Sequence, residues 1–440
     1  MTVLDSRPDV PGDQNDSEGR LVTTAEAPGA LISEAGVSMA PVQDLGEGRG
    51  PFWLDDWLRA NATDVCAWRR HIHAHPELSR HEFATTELVV TLLRAVGLKP
   101  WVLPGGTGVV CDIGQGDRCV ALRADMDALP LTEATGLPYA STVDGAAHMC
   151  GHDAHTAILL GAARALAGAP ELPGKVRLIF QPAEEVMPGG ALDMIAAGAL
   201  DGVERIYGLH CDPRLEVGRI GTRVGALTSA ADLIELRLTS PGGHTSRPHL
   251  TADLVHALGT VITSLPSVLS RRVDPRSGTV LVWGAVHAGQ AANAVPQDGV
   301  LRGTLRTADH EVWTMLEPLV ASSVESLLAP TGVGFSLDYR RGVPPVMSDA
   351  ESVSLMRAGV EAALGEKALA GTEQSSGGED FGWYLEHVQG AFARLGVWSG
   401  GSAPMSDIHR PTFVLDERAL LVGVRTLVHT ALTTLAVSSV

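Results

Sequence analysis

The spacing of hydrophobic residues differs between two parts of the chain. Residues 118–124, 175–180 and 205–209 are short apolar runs that are typical of buried strands, and apolar residues at helical spacing fill much of the sequence between them. Helical spacing also covers residues 53–73 and 82–96. This alternation predicts βα units, and hence an α/β fold in which a mixed, mainly parallel sheet is flanked by helices.

The period changes near residue 228, where polar and apolar residues begin to alternate, as in an antiparallel strand with one face in water. The order that follows is strand, helix, two strands, helix and strand, which predicts a small ferredoxin-like α+β domain (residues 231–238, 252–269, 278–286, 299–306, 312–328 and 334–339). We therefore expect an inserted domain of residues 228–344 within a main domain of residues 51–227 and 345–440. Residues 1–50 lack periodicity and are rich in Gly, Pro, Asp, Glu and Ser, which predicts a mobile extension.

The amino-acid composition argues against two classes of binding partner. The chain has 51 acidic and 33 basic residues and a formal net charge of −18, which argues against a nucleic-acid surface and against anionic membranes. Its five cysteines are odd in number and irregularly spaced, which favours a reducing cytoplasm over a disulfide framework. The sequence shows no run of 18 apolar residues and no signal-peptide pattern. We expect a cytoplasmic enzyme that acts on a small molecule.

Residues 147–156 carry the densest candidate chemistry, because they hold one thiol, three imidazoles and a carboxylate. Cys150 and His152 are two residues apart, so in an extended or turning backbone their side chains leave on the same side, and Gly151 permits a tight bend between them. Both could reach one metal ion. The alanine-rich run that follows predicts a helix with Asp153 as its N-cap. Buried imidazoles and carboxylates cost several kcal/mol unless they are paired or ligated, which favours a metal site over a structural role.

A second group of histidines does not predict a metal site. His71, His73 and His75 alternate along the chain, but Pro76 marks a turn and nothing nearby completes a ligand shell.

The three apolar runs of the main domain each end in reactive side chains. Open α/β sheets collect ligands at the carboxyl ends of their strands, so these side chains should converge with Cys150 and His152. For the adjacent glutamates the alternative is an exposed helix start, where carboxylates interact favourably with the helix dipole. The side chains in question are Asp125, Asp127, Glu184, Glu185 and His210.

Six ordered motifs resemble the M20 metallopeptidase family, and specifically its amidohydrolase branch, which includes N-acyl-amino-acid, hippurate and auxin-conjugate hydrolases. The resemblance covers roughly residues 55 to 435 and rests on residues 123–130, 148–155, 181–185, 208–210, 242–246 and 378–381. It implies a catalytic domain with a dinuclear metal site and a smaller inserted domain used for dimerisation. Two departures are present: Met149 stands where the branch usually has alanine, and residues 407–411 differ from its usual Leu-His-Ser-Pro.

Position by position, the resemblance implies five metal ligands, Cys150, His152, Glu185, His210 and His409, with Glu184 as general base. It further implies that three residues of the inserted domain contact the substrate, namely His244, Asn293 and Arg306. Asp125 and Asp127 are best interpreted as groups that orient the ligand imidazoles. Thiolate, imidazole and carboxylate ligands suit zinc best, with manganese, cobalt or nickel as alternatives.

The implied reaction is hydrolysis of the amide bond of an N-acyl amino acid, with two divalent metal ions per subunit. The metals lower the pKa of a bound water, and Glu184 takes its proton and passes it to the leaving amine. The implied assembly is a homodimer formed through the inserted domain, in which His244 reaches the active site of the partner subunit.

Other functions remain open. Within the same fold they are a dipeptidase or carboxypeptidase and an N-acetyl-diaminopimelate deacetylase. A cysteine-nucleophile hydrolase using Cys150 with His152 or His155 would leave Glu185, His210 and His409 unexplained. A metal-binding protein without catalysis would have no reason to keep a free carboxylate at Glu184.

Overall fold

The computed structural model describes residues 48–437, so the predicted extension 1–50 lies outside the described residues except for its last three. Within this part the chain forms nine α-helices: α1 (Phe52–Ala74), α2 (Phe83–Arg94), α3 (His152–Ala167), α4 (Ala191–Ala196), α5 (Leu254–Arg272), α6 (His310–Leu328), α7 (Ala350–Leu364), α8 (Gly382–Leu385) and α9 (Arg418–Ala436). The strands of the same part are β1 (Trp101–Val102), β2 (Val109–Ile113), β3 (Cys119–Asp125), β4 (Lys175–Gln181), β5 (Arg205–Glu216), β6 (Ile220–Thr222), β7 (Gly225–Ala226), β8 (Ala230–Thr239), β9 (Gly243–His244), β10 (Val280–Ala288), β11 (Ala294–Val295), β12 (Asp298–Thr307), β13 (Gly334–Val343), β14 (Met347–Ser348), β15 (Leu369–Gly371) and β16 (Gln389–Trp398).

The main sheet has eight strands in the order β1-β2-β4-β3-β5-β16-β6-β15. The pairs β3–β4, β3–β5, β5–β16 and β6–β15 are parallel, and the remaining three pairs are antiparallel. Every residue of β3 is buried, and Val120 and Leu122 pack into one core while Cys119 and Ala121 pack into another. Successive side chains of a strand point to opposite faces, so both faces of the sheet are covered. The predicted mixed, mainly parallel sheet flanked by helices is confirmed.

The inserted unit forms a separate four-stranded antiparallel sheet in the order β10-β12-β8-β13. Its core contains apolar residues of the sheet, such as Leu236 and Leu301, together with Leu258 of α5 and Val320 of α6. The chain order βαββαβ and this strand order are those of a ferredoxin-like fold, as the sequence predicted. The segments that enter and leave the unit pair with each other as β7 and β14.

Helix α3 begins at His152, and Gly151 occupies the cap position with a φ of +91°. The prediction that Asp153 is the N-cap is wrong, because Asp153 lies inside the first turn with its carboxylate fully buried. That carboxylate accepts hydrogen bonds from Arg69 Nε at 2.6 Å and from His73 Nδ1 at 2.8 Å. The buried ion pair with Arg69 therefore engages the carboxylate that the sequence predicted for capping.

Helix α9 is long and apolar enough to cross a membrane by length and composition. However, 83% of its most apolar window is buried within the protein, where it packs against α3 and α7. This burial identifies α9 as a core helix of the main unit.

Candidate metal centre and active-site cavity

The predicted reactive residues meet at one edge of the main sheet. Asp125 ends β3, Glu184 and Glu185 follow β4, and His210 lies in β5; β3 pairs in parallel with both other strands. Neighbouring parallel strands have their carboxyl ends on the same side of the sheet, which explains why these residues converge. Glu184, Glu185 and His210 line a cavity of about 430 Å³ together with Cys150, which lies two residues before α3.

Cys150 lies at the centre of the cluster. Its Sγ atom is 3.4 Å from His210 Nε2 and 3.3 Å from His409 Nε2. It belongs to two groups whose possible ligand atoms all lie within 4.8 Å of one another, one with His152 and His210 and the other with Glu185 and His409. The structure therefore brings together all five residues that the resemblance implied as metal ligands.

Backbone carbonyls fix the direction of two imidazoles. His152 Nδ1 donates to the carbonyl of Asp127 at 2.9 Å, and His210 Nδ1 donates to the carbonyl of Cys211 at 2.8 Å. A carbonyl can only accept, so each Nδ1 carries the proton and each Nε2 is free to ligate. Burial and the neighbouring His155 hold the pKa of His210 well below its ordinary value, which favours the neutral, ligating form.

Two buried atoms of the cluster lack a hydrogen-bond partner within residues 48–437, namely His152 Nε2 and Glu185 Oε1. They are 3.8 Å apart. Buried polar atoms are costly when they are left unpaired, and a cation between an imidazole nitrogen and a carboxylate oxygen would satisfy both. The donor set of thiol, imidazole and carboxylate therefore fits a divalent metal ion.

Glu184 and Glu185 leave the chain in one turn but have different surroundings. The backbone N–H of Glu185 donates to Asp127 Oδ2 at 3.0 Å, whereas Glu184 lies close to Glu379 and Asp380. Burial, together with Glu379 and Glu185, raises the pKa of Glu184 well above its usual range. A carboxyl group with a raised pKa is suited to hold and release a proton near neutral pH.

Glu82 supports this turn and was not singled out from the sequence. Ala183 has a φ of +56°, which is unusual for a residue other than glycine, and its N–H donates to Glu82 Oε1 at 2.7 Å. Glu82 is fully buried, and burial raises its pKa to about 7. The sequence offered no signal for it, since a single glutamate at the start of a helix is usually exposed.

His409 is the most exposed member of the cluster, with 51% of its side chain accessible. Its φ is +62°, and its N–H donates to the carbonyl of Met149 at 2.7 Å. The two departures from the family pattern, at Met149 and at residues 407–411, are thus in direct contact. His409 Nε2 lies 3.4 Å from Glu185 Oε1, so the unusual local sequence still directs its imidazole into the cluster.

The two aspartates contact different imidazoles. Asp127 contacts His152, whereas Asp125 accepts from Arg123 Nη1 at 2.5 Å and from His155 Nδ1 at 2.6 Å. His155 Nε2 accepts the N–H of Cys211 at 2.9 Å. Both ring nitrogens of His155 are therefore engaged, which argues against His155 as the base of a cysteine nucleophile. Burial and Glu185 also raise the pKa of the Cys150 thiol well above its usual value.

The three residues predicted from the inserted unit have separate locations. Arg306 lines the cavity, and its Nη1 donates to the carbonyl of Ser376 at 2.8 Å. His244 and Asn293 are exposed and lie outside the part of the cavity that residues 48–437 line. His244 Nδ1 contacts the hydroxyl of Ser246 at 2.8 Å.

Arg394 also lines the cavity and was missed. The sequence does indicate this residue, because Arg394 is the one charged residue in the otherwise apolar run 391–397.

Residues 121–433 match the model of the peptidase family M20/M25/M40. "Putative glutamate--cysteine ligase 2-3" of Rhodococcus jostii (strain RHA1) is 57% identical over 386 residues, which are 88% of this chain and 48% of that protein. The chain therefore spans about half the length of that relative. N-acetyl-L-cysteine deacetylase of Bacillus subtilis (strain 168) is 38% identical over 80% of this chain and 84% of its own length.

Among solved structures, the YxeP protein of Bacillus subtilis is described as a dinuclear metal binding peptidase from the M20 family. It has a TM-score of 0.75 and 34% sequence identity, and the match covers 86% of this chain and 99% of that one. The matched family model spans most of the chain, and the motifs that carry the resemblance fall within it. The chain belongs to the peptidase family M20/M25/M40.

Proposed function

We propose that the protein is a metal-dependent amidohydrolase that cleaves the amide bond of N-acyl amino acids. One observation carries the proposal: Cys150 is shared by two groups of possible ligands, and beside it His152 Nε2 and Glu185 Oε1 lie 3.8 Å apart without a hydrogen-bond partner in the described part of the chain. Each subunit would hold two divalent metal ions through Cys150, His152, Glu185, His210 and His409. Zinc is the preferred metal, with manganese, cobalt or nickel as alternatives.

Bound metal ions would polarise the amide carbonyl and make a water molecule more acidic. Glu184 would then act as general base, taking the proton of the attacking water on its carboxylate and delivering it to the leaving nitrogen. Its raised pKa supports this role, because the group that accepts a proton must also hold it until the amine leaves. Asp127 would keep His152 oriented, and Arg306 would contact the substrate from the rim.

The substrate class comes from the relatives. N-acetyl-L-cysteine deacetylase is named for an N-acyl amino acid, whereas the YxeP protein is described as a peptidase. Short peptides are therefore the second candidate substrate, which would make the protein a dipeptidase or carboxypeptidase. N-acetyl-diaminopimelate remains a third.

The proposal is tested by assaying a panel of substrates with protein that contains one known metal at a time. Chelator-treated protein is restored in turn with zinc, manganese, cobalt or nickel, and offered N-acetyl, N-benzoyl and long-chain N-acyl amino acids, dipeptides and N-acetyl-diaminopimelate. Hydrolysis should require the metal and favour N-acyl amino acids, and metal analysis should approach two ions per chain. A covalent acyl adduct on Cys150, detected by mass spectrometry, would replace this proposal with a thiol mechanism.

We further propose that the protein is a homodimer formed through the inserted unit. Strand β10 is an edge of its sheet, and Val280, Val282 and Val286 are 53%, 56% and 52% exposed. An exposed apolar edge strand is suited to pairing with a second copy of the chain. His244 and Asn293 lie outside the cavity of their own chain, which supports a role in the site of a partner subunit.

We also propose a cytoplasmic location, and the state of the cysteines supports it. All five are free and buried, as is usual in a reducing compartment, which supports a cytoplasmic location.

A further inference from the structure

Arg394 occupies an unusual place for a charged residue. Strand β16 runs parallel to β5, and their register places Arg394 beside His210. The neighbouring residues Phe392 and Leu395 are fully or almost fully buried apolar side chains, whereas Arg394 is 7% exposed and lines the same cavity as Cys150. A guanidinium thus lines the cavity, and it comes from the strand that pairs with the strand of the predicted metal ligand His210.

Within residues 48–437, no carboxylate forms an ion pair with this guanidinium. Arg394 Nε has no hydrogen-bond partner, and the residue takes part in none of the ion pairs within residues 48–437. The two carboxylates whose charges attract Arg394, Asp212 and Glu379, bind other arginines: Asp212 contacts Arg214 at 3.0 Å, and Glu379 contacts Arg123 at 3.1 Å. Burial lowers the pKa of Arg394, and the attraction of Asp212 and Glu379 does not offset this effect.

A buried charge without a partner is strongly destabilising, so it is usually kept for a ligand. Guanidinium groups bind carboxylates through paired N–H donors in a fixed plane. Arg306 provides a second cation on the same cavity, but from the inserted sheet. Arg214 is the third arginine that lines the cavity, but it is paired with Asp212. Arg306 and Arg394 therefore remain as two cavity arginines that form no ion pair within residues 48–437, and they come from different structural elements.

We propose that Arg394 forms a second carboxylate subsite, so that the enzyme selects N-acyl amino acids carrying another carboxylate besides the α-carboxylate. The proposal rests on the amidohydrolase function proposed above and specifies its substrate class. The additional carboxylate belongs either to the amino-acid side chain or to the acyl group. The two sources share the same recognition chemistry and are separated by the choice of substrates.

The test compares charged substrates with neutral analogues of similar shape. N-acetyl-L-glutamate is paired with N-acetyl-L-glutamine for the side-chain source, and N-succinyl-L-alanine with N-butyryl-L-alanine for the acyl source. In one of the pairs, Arg394→Met should lower kcat/KM for the charged member by roughly 10- to 100-fold, the range of a hydrogen bond to a charged group. The neutral member should change less than about threefold, and Arg394→Lys should retain part of the preference.

Arg223→Met is the matched control, because Arg223 is exposed and does not line the cavity. It should leave both members of each pair unchanged. Melting temperature and metal content of all variants establish that they fold and load alike, and Arg394→Gln replaces the methionine variant if that one does not fold. Equal losses on charged and neutral substrates, or no loss on either, would overturn the subsite.

Binding provides a readout that does not depend on turnover. Metal-loaded Glu184→Gln protein should bind N-acetyl-L-glutamate or N-succinyl-L-alanine roughly 10- to 100-fold more tightly than the double variant Glu184→Gln/Arg394→Met, as measured by calorimetry. If the wild type hydrolyses no member of the panel, the proposed function fails, while this measurement still decides the role of Arg394. Equal affinities of the two proteins would refute the subsite even in an active amidohydrolase.

Discussion

The main unit and the inserted unit hold their predicted site residues in different ways. At the edge of the main sheet, His152 and His210 are buried, and each ring is fixed by a backbone carbonyl. In the inserted unit, His244 and Asn293 are exposed, and the hydrogen bonds of the His244 ring within residues 48–437 are to its near neighbour Ser246. The first site is organised within one chain. His244 and Asn293 lie outside this site, so variants in the two regions should behave differently.

The largest effect is expected at Glu184. Glu184→Gln should lower kcat at least about 100-fold while metal content is kept, because it removes only the proton acceptor. Glu185→Gln should instead lose metal, since Glu185 Oε1 faces His152 and His409. Steady-state kinetics measures kcat of both variants, and metal analysis measures how much metal each retains. Equal metal loss in both, or an active Glu184→Gln, would show that the two roles are assigned wrongly.

His244 should have the next largest effect, although it is exposed. Loss of a donor to a developing oxyanion typically costs about 10² to 10³ in kcat, so His244→Ala should be nearly inactive. Mixed with Glu184→Gln subunits and allowed to exchange, it should regain part of the activity, because one site of the heterodimer then has both groups.

The exchange experiment also tests the assembly. No recovery after confirmed subunit exchange would exclude a role of His244 in the partner's site. A fully active monomer would refute the dimer itself.

Glu82 should give a pH-dependent effect on stability. Its pKa is raised from 4.5 to about 7, so the folded state holds a proton that the unfolded state releases, and stability is lost as pH rises from 4.5 to 7. Gln cannot titrate, so the stability of metal-free Glu82→Gln relative to wild type should increase over this window by about 3 kcal/mol at most. Denaturant unfolding at several pH values measures this difference. Glu87→Gln, at an exposed position of α2, is the control, and a pH-independent difference for Glu82→Gln would contradict the prediction.

The smallest effect is expected at Arg302 in the inserted sheet. Its Nε contacts Glu235 at 2.6 Å, but its side chain is 53% exposed. Exposed ion pairs contribute about 0 to 1 kcal/mol, so Arg302→Ala should hardly change the unfolding midpoint or the activity. A large loss of activity would show that this face of the inserted sheet is covered in the assembled enzyme.

The main unit and the inserted unit also differ in how well the sequence predicted their secondary structure and side-chain contacts. In the inserted unit, the alternation of polar and apolar residues at 231–238 marked where the unit begins, because that strand has one face in water. In the main unit, β3 is buried on both faces, so periodicity indicated a strand but not its neighbours. Asp153 shows the limit most clearly: its sequence position favours an N-cap, but a distant residue, Arg69, determines its environment.

The sequence by itself determined the fold class, the inserted unit and the residue types of the site, because hydrophobic periodicity and the order of motifs are local properties. Only the tertiary structure decided which atoms meet. It brought His409 within 3.3 Å of Cys150 across more than 250 positions of sequence, and it placed Glu82 against the N–H of Ala183. It also left Arg394 buried without an ion pair in the described part of the chain, because Asp212 and Glu379 bind other arginines. Burial and pairing depend on contacts between distant segments, which no local pattern contains.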